Sequence, residues 1–255
     1  YPLRPRARIR ALSLLMEEFE PVWENPTRYG GIKFYCPATW PFSRSDMAKE
    51  PETLRWIDGF EPGCVLWDIG ANVGVFSLYA AQRGLKVYSF EPAALNFAVL
   101  MKNIELNAFD EQITFLNVAI AENTSLSTLY MSHTKVGGAQ HQFGRPQDET
   151  TGIKRDTYGT ENAFRQSMLG FSIDDLIEKW GLLVPNHIKI DVDGNECEIV
   201  RGAIHTLAKT RLKSVLIEIN PDERKDEIRG ILKSVGLELD SQTGINHIFA
   251  RGQNT

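Results

Sequence analysis

Residues 65–78, VLWDIGANVGVFSL, decide the fold. A buried-type strand runs to Asp68. The chain then turns through Gly70, Ala71, Asn72 and Val73, and a helix begins near Gly74 and takes in Val75. Glycines at 70 and 74 let the backbone turn tightly and approach a ligand where a Cβ would clash. The new helix start offers free N–H groups. In a dehydrogenase such groups face a pyrophosphate. The spacing here is D-x-G-x-x-x-G, which lacks the three-glycine pattern G-x-G-x-x-G of dinucleotide sites.

Working outward, the next apolar run, KVYSF (86–90), ends at Glu91, seventeen residues beyond Gly74. A carboxylate there accepts hydrogen bonds from ribose hydroxyls, and Pro92 stops the strand. A third run, ITFLNVA (113–119), brings Asn117 and Ala119 beside the expected adenine position. Asn117 either bonds the base or caps a turn. Two further runs, HIKID (187–191) and SVLIEI (214–219), alternate with helical stretches at 74–83, 92–107, 172–180, 195–209 and 222–235. Short apolar runs alternating with helices predict a mostly parallel sheet with helices on both faces. LELDS (237–241) and INHIFAR (245–251) flank a Gln-Thr-Gly turn and predict a closing hairpin.

Before this domain (61–255), residues 1–60 read as a helical extension or lid. They hold helical spacing at 9–19 and 49–59 and an aromatic, proline-containing segment at 21–44. Residues 132–168 are polar, glycine-containing and aperiodic, a loop long enough to serve as a candidate substrate lid.

A chain of 255 residues with 42% hydrophobic and 24% charged residues has the size and composition of one large globular domain with a modest extra segment. A formal net charge of -5 argues against a nucleic-acid partner, which calls for a basic surface. The basic run Arg4, Arg6, Arg8, Arg10 is either a solvated arm or a weak contact for a membrane surface. Cys36, Cys64 and Cys197 lie far apart without C-x-x-C spacing, which suggests neither a disulfide framework nor zinc, and a reducing cytoplasm. No apolar run approaches the ~18 residues of a membrane span.

The segments VLWDIGANVGVFS, SFEP, ITFLNVAI, FSIDDLIEKWG, HIKIDVDGNECEIVRGA and VLIEIN, in this order, resemble the FkbM family of methyltransferases over roughly residues 60–220. The pairing of DIGANVG with IKIDVDGNE is the specific part. The resemblance implies a class I, Rossmann-like methyltransferase fold, which the antiparallel closing strand suits better than a dehydrogenase. It also implies methyl transfer from S-adenosyl-L-methionine to an oxygen of a sugar, glycan, glycolipid or secondary metabolite. Two other readings stay open: an NAD-dependent oxidoreductase, and a non-catalytic methyltransferase-like binding domain.

Methylating an alcohol requires positioning and removal of a proton. Asp191 ends the fourth strand, Asp193 and Gly194 follow in a turn, and Glu196 opens the next helix. Asp191 and Asp193 are candidates for general base or for ligands of a divalent cation such as Mg2+, whereas Glu196 suits the helix dipole. Lys189, between Ile188 and Ile190, either snorkels, pairs with an acid, or acts as a base with lowered pKa. Glu218 and Asn220 end the fifth strand on the same rim. His133 and His141 in the loop are further proton acceptors. Asp174 and Asp175, after Ser172, read as helix capping.

Overall fold

The computed structural model describes residues 5–144, 164–220 and 224–252. Helix α1 (Pro5–Glu18) leads into a hairpin of β1 (Val22–Thr27) and β2 (Gly30–Tyr35), then α2 (Thr39–Arg44) and α3 (Pro51–Asp58). The core fold alternates β3 (Val65–Ile69), α4 (Val75–Gln82), β4 (Lys86–Phe90), α5 (Ala94–Asn107) and β5 (Ile113–Leu116). There follow β6 (Ala119–Ile120), β7 (Ser125–Met131), β8 (His141–Phe143), β9 (Phe164–Phe171) and α6 (Ile173–Glu178). The chain then runs through β10 (His187–Ile190), α7 (Glu196–Arg201), α8 (Ile204–Leu207), β11 (Ser214–Glu218), α9 (Lys225–Ser234), β12 (Glu238–Thr243) and β13 (Asn246–Ala250).

Among the described residues, seven strands pair in the order β12-β13-β11-β10-β3-β4-β5. β13 runs antiparallel to β11 and β12, while β11, β10, β3, β4 and β5 are mutually parallel. This is the class I methyltransferase sheet. Its central strands are buried and mostly apolar because both faces are covered. Successive side chains point to opposite faces, so Val65, Trp67, Ile69, Ile188 and Ile190 enter one core and Leu66 the other. Trp67 is fully buried, and truncating it to Ala would cost about 3–5 kcal/mol. By the same alternation Asp68 and Lys189, opposite one another in register, share the second face.

The second face also receives the hairpin. Ile32 and Phe34 of β2 are fully buried in its core. The edge of β2 is tied to α5 by Asn103 Oδ1, which accepts from the Tyr35 N–H at 2.6 Å, and by Asn107 Oδ1, which accepts from Lys33 at 2.9 Å. Helix α1 instead leaves Ile9, Leu12, Leu14 and Leu15 exposed. Among the described residues no helix is long and apolar enough to cross a membrane.

Several expected boundaries move. The run 113–119 splits because the Asn117 side chain donates to the Glu91 and Pro92 carbonyls at 2.8 and 3.0 Å, which turns the chain out of the sheet. β6 then pairs with β9 in a second sheet of order β6-β9-β7-β8. The helix expected over 195–209 breaks at Gly202, where an added Cβ would lie 2.4 Å from the Ala121 carbonyl. The Asp174 carboxylate caps the second piece, accepting from the His205 and Thr206 N–H groups at 2.9 and 2.8 Å. Ser172 caps α6 through the Asp175 N–H. The closing hairpin turns at Gly244 and Ile245, between the pair Thr243 and Asn246. Of the loop expected at 132–168, residues 141–143 and 164–168 are strand, and 145–163 lie outside the described residues, as do Arg4 and residues 222–223.

Candidate active site

The turn after β3 is built by backbone bonds. The Gly70 and Ala71 N–H groups donate to the Phe90 carbonyl at 2.9 and 3.0 Å, and Gly74 donates to Ala71 at 2.8 Å. Gly70 (φ +83°) and Gly74 (φ +90°) occupy the left-handed region, as does Asn72 (φ 52°). The reason for the glycines differs from the ligand approach expected above. A Cβ at Gly70 would sit 1.9 Å from the Asp191 carbonyl oxygen, and one at Gly74 would sit 2.4 Å from Leu100 Cδ1. The turn therefore touches the loop after β10 directly. Asp68 does not reach the surface: it is buried and accepts from the Ser77 hydroxyl at 2.5 Å, which accepts in turn from Ser89 at 2.7 Å. It shapes the start of α4 from beneath.

Glu91 is also enclosed. Its carboxylate accepts from the Asn72 N–H at 2.8 Å, the Ala93 N–H at 2.9 Å and the Asn96 side chain at 3.4 Å, and burial pushes it up to about 7. A strap formed by residues 132–140 crosses this end. The Gly138 carbonyl accepts from both Asn72 Nδ2 and Asn96 Nδ2 at 2.9 Å, and Asn96 Oδ1 accepts from the Gly137 N–H at 2.8 Å. Asn72 keeps its Oδ1 buried without a partner. Asn117 is spent on the Glu91 and Pro92 carbonyls, so it shapes the turn expected to face the base. Pro92 and Ala119 line a small cavity with Gly70.

At the neighbouring strand ends Lys189 is buried, with Nζ 2.7 Å from Asp191 Oδ2 and 4.0 Å from Asp68 Oδ1. Burial alone would lower its pKa, but Asp191, Asp68 and Glu50 outweigh it and hold the ammonium above the ordinary lysine value. That corrects the expectation of a lysine base. Burial opposes the charge on Asp191 as well, yet Lys189 keeps its pKa below the usual carboxylate range. Glu218 is pushed up to about 8, by burial and by the charge of Asp191, to which it is hydrogen-bonded. At neutral pH this pair carries one proton, with Asp191 ionised.

Asp193 is engaged differently. One of its carboxylate oxygens accepts from the Gln140 and His141 N–H groups, the latter at 3.1 Å, so it anchors β8. Among the described residues no group of three or more His, Cys, Asp or Glu side chains is arranged to hold a metal ion. With Asp191 committed to Lys189 and Asp193 to the strap, the donor set does not fit the divalent-cation reading. His141 is partly buried, and burial, then the neighbouring His133, depresses its imidazole to about 4. At pH 7 the ring is a neutral imidazole, and it lines the small cavity with Pro92 and Ala119.

The structure adds residues that local sequence patterns do not reveal. Glu50, the residue before α3, interacts electrostatically with Lys189, Asp191 and Glu218. Arg44 of α2 donates from Nε to the Gly137 carbonyl at 3.3 Å and acts on Asp191. The Trp40 ring lies 4.6 Å from that of His133, edge-on. Asn96 lies in the first turn of α5. Only the glycine pair 137–138 hinted at tight contact in the strap.

The chain is 23% identical over 197 residues to the hexuronic acid methyltransferase AglP of Haloferax volcanii, covering 76% of this chain and 72% of that one. It is 24% identical over 203 residues to the 31-O-demethyl-FK506 methyltransferase FkbM of Streptomyces tacrolimicus, covering 73% and 77%. The crystal structure of methyltransferase FkbM from Methylobacillus flagellatus KT aligns with a TM-score of 0.49 at 17% identity, over 75% of this chain and 44% of that one. A family model described as the methyltransferase FkbM domain matches residues 68–239, most of the chain, which therefore belongs to the FkbM family of S-adenosylmethionine-dependent methyltransferases.

Proposed function

We propose that the protein transfers the methyl group of S-adenosylmethionine to a hydroxyl of a sugar, glycan, glycolipid or secondary metabolite. The observation that carries this reading is the contact between the two halves of the site. The Gly70 turn lies against the backbone of Asp191, so a cofactor at the turn and a base at the rim would meet. Both relatives support the acceptor class, since their names describe a hexuronic acid and a 31-O-demethyl compound.

In this reading the turn Gly70–Gly74 with Ala71, Asn72 and Val75 holds the amino-acid end of the cofactor. Glu91 holds its ribose, and Pro92 and Ala119 border its base. The unpartnered Asn72 Oδ1 fits a polar ligand at that turn. When bound, the cofactor supplies a methyl group activated by a sulfonium. Asp191, kept ionised and fixed by Lys189, accepts the hydroxyl proton as the acceptor oxygen attacks, and it is the stronger base once Glu218, to which it is hydrogen-bonded, has lost its own proton. Lys189 and Asp193 are positioning residues. The N-terminal sixty residues serve as the acceptor-side wall through Trp40, Arg44 and Glu50. No step passes through a metal.

The test is a labelled-methyl screen with S-adenosylmethionine against glycans, lipids and hydroxylated metabolites, run beside Asp191→Asn. Label in an ether product made by the wild type and lost in the variant supports the reading. Label on nitrogen or carbon, or an unchanged rate in the variant, overturns it.

A further inference from the structure

We infer that helix α1 and the aromatic side chains that follow it form a docking surface for the headgroup layer of an anionic lipid bilayer. α1 carries Ile9, Leu12 and Leu15 at helical spacing, and Phe19 continues the same stripe. All four are exposed, Ile9 by 63% and Phe19 by 72%. Every side chain from Pro5 to Leu15 is exposed with them, so among the described residues no other element buries the stripe. A helix of 14 residues with no packed face is marginal in water. This one gains its stability from what it lies on.

The charges identify that surface. Arg6, Arg8 and Arg10 occupy the first two turns and Glu17 and Glu18 end the helix, with no acid in the first turn and no base in the last. This order opposes the helix dipole, which favours acids at the start and bases at the end. The arginines therefore cost the isolated helix stability and serve a partner outside it. An apolar stripe flanked by arginines, with aromatic rings at one end, suits a helix lying in the plane of a lipid interface. Its apolar side chains then sit at the acyl boundary and its guanidinium groups on phosphates. The rings are in place: Trp23 of β1 and Phe42 of α2, both exposed, meet edge-on with centroids 5.9 Å apart, and indoles partition to the headgroup level. The chain as a whole is acidic, at -5, so the attraction is confined to this end and orients the molecule. A second copy is a poorer occupant, because the stripe is shorter than the three to four heptads that sustain a coiled coil.

Under the methyl-transfer reading above, docking favours a glycolipid among the acceptors proposed. Phe42 lies on α2, whose Trp40 and Arg44 wall the site, so the site stands one helix diameter, about 10 Å, from the docked surface. A hydroxyl on a lipid-borne sugar is presented at that height.

The experiment is co-sedimentation of the chain at low salt with vesicles of phosphatidylcholine alone and of phosphatidylcholine mixed with phosphatidylglycerol. Wild type should favour the anionic vesicles on the order of a hundredfold, at about fivefold per arginine. Replacing Arg6, Arg8 and Arg10 together (Arg6→Gln, Arg8→Gln, Arg10→Gln) should bring the two vesicles within about threefold of each other. Leu12→Ser with Leu15→Ser should weaken binding to both. Neither set touches a packed residue, so melting temperatures should stay within about 2 °C of wild type, which separates lost binding from lost fold. Wild type that ignores both vesicles, or an anionic preference kept by the arginine variant, overturns the inference. So does a dimer in sedimentation velocity that the leucine pair disperses. Methyl transfer enters none of these measurements, so their failure leaves the methyltransferase reading standing.

Discussion

Replacing Lys189 with Met removes a buried ammonium from between two acids while keeping its volume. Lys189 is 1% exposed, 2.7 Å from Asp191 and 4.0 Å from Asp68, and Asp68 retains the hydroxyl and backbone N–H of Ser77 once the charge is gone. Removing one partner of a buried pair costs about 3–5 kcal/mol, because the remaining charge is stranded. At about 2–4 °C per kcal/mol for a chain of this size, the melting temperature should fall by roughly 6–20 °C at pH 7.5. The deficit should shrink on acidification. Asp191 is held below its ordinary pKa in the wild type, so its stabilising contribution is present above the unfolded value and lost as pH falls through the folded one. That loss lies below about pH 4, so between pH 7.5 and 5 the deficit shrinks because the variant's stranded carboxylates, their pKa raised by burial, take up protons. Calorimetric melts of both proteins at pH 7.5 and 5 decide the matter. A fall under about 2 °C, a deficit equal at both pH values, or a stabilised variant, as expected for a lysine buried uncharged, would refute the role assigned to Lys189.

Asp191→Asn should lower kcat by about 10²–10⁴-fold, the range for a general base, with S-adenosylhomocysteine affinity within a few-fold of wild type; a loss in affinity alone would make Asp191 a binding residue. Because the Asp191 and Glu218 pair becomes a stronger base when Glu218 loses its proton, kcat should rise with pH through about 8, and Glu218→Gln should abolish that limb; a profile flat from pH 6.5 to 9 contradicts the pairing. His187 is buried against Phe60 and depressed to about 3, mainly by burial. The unfolded chain therefore takes up a proton that the fold refuses, and stability drops as pH falls from about 6.5 toward 3, by a few kcal/mol from this group. His187→Gln should flatten that part of the acid limb in pH-dependent denaturant titrations. Activity should withstand exhaustive chelation, given the donor arrangement around Asp191 and Asp193, and a metal-restored loss would show that the acids rearrange to bind a cation.

What the sequence made legible is what local chemistry decides. VLWDI and HIKI announce themselves because strands buried on both faces are mostly apolar, Asp68 and Lys189 being the charged exceptions, and the glycine turn and Glu91 follow from their spacing. The acidic rim was legible as a set of candidates, with Lys189 left between pairing and base. The choice fell to Asp191, Asp68 and Glu50, which meet it only once β3, β10 and the N-terminal segment are brought together. The second sheet was illegible because β6 and β8 span only two and three residues, β7 and β9 mix polar with apolar positions, and Asn117 breaks the run that precedes it. Ile32 and Phe34 carried a hairpin in a segment that reads as aromatic and proline-containing rather than as strand. Asp193 looked like catalytic or metal-binding chemistry, but a carboxylate's type does not reveal that two N–H groups from β8 will occupy it.

The most direct test of the account is equilibrium binding of S-adenosylhomocysteine and of NAD to the wild-type chain and to Glu91→Ala. The account predicts micromolar affinity for S-adenosylhomocysteine, none for NAD, and a loss on the order of tenfold or more when the carboxylate that holds the ribose is removed. Binding of NAD in its place, or S-adenosylhomocysteine bound equally well without Glu91, would contradict it.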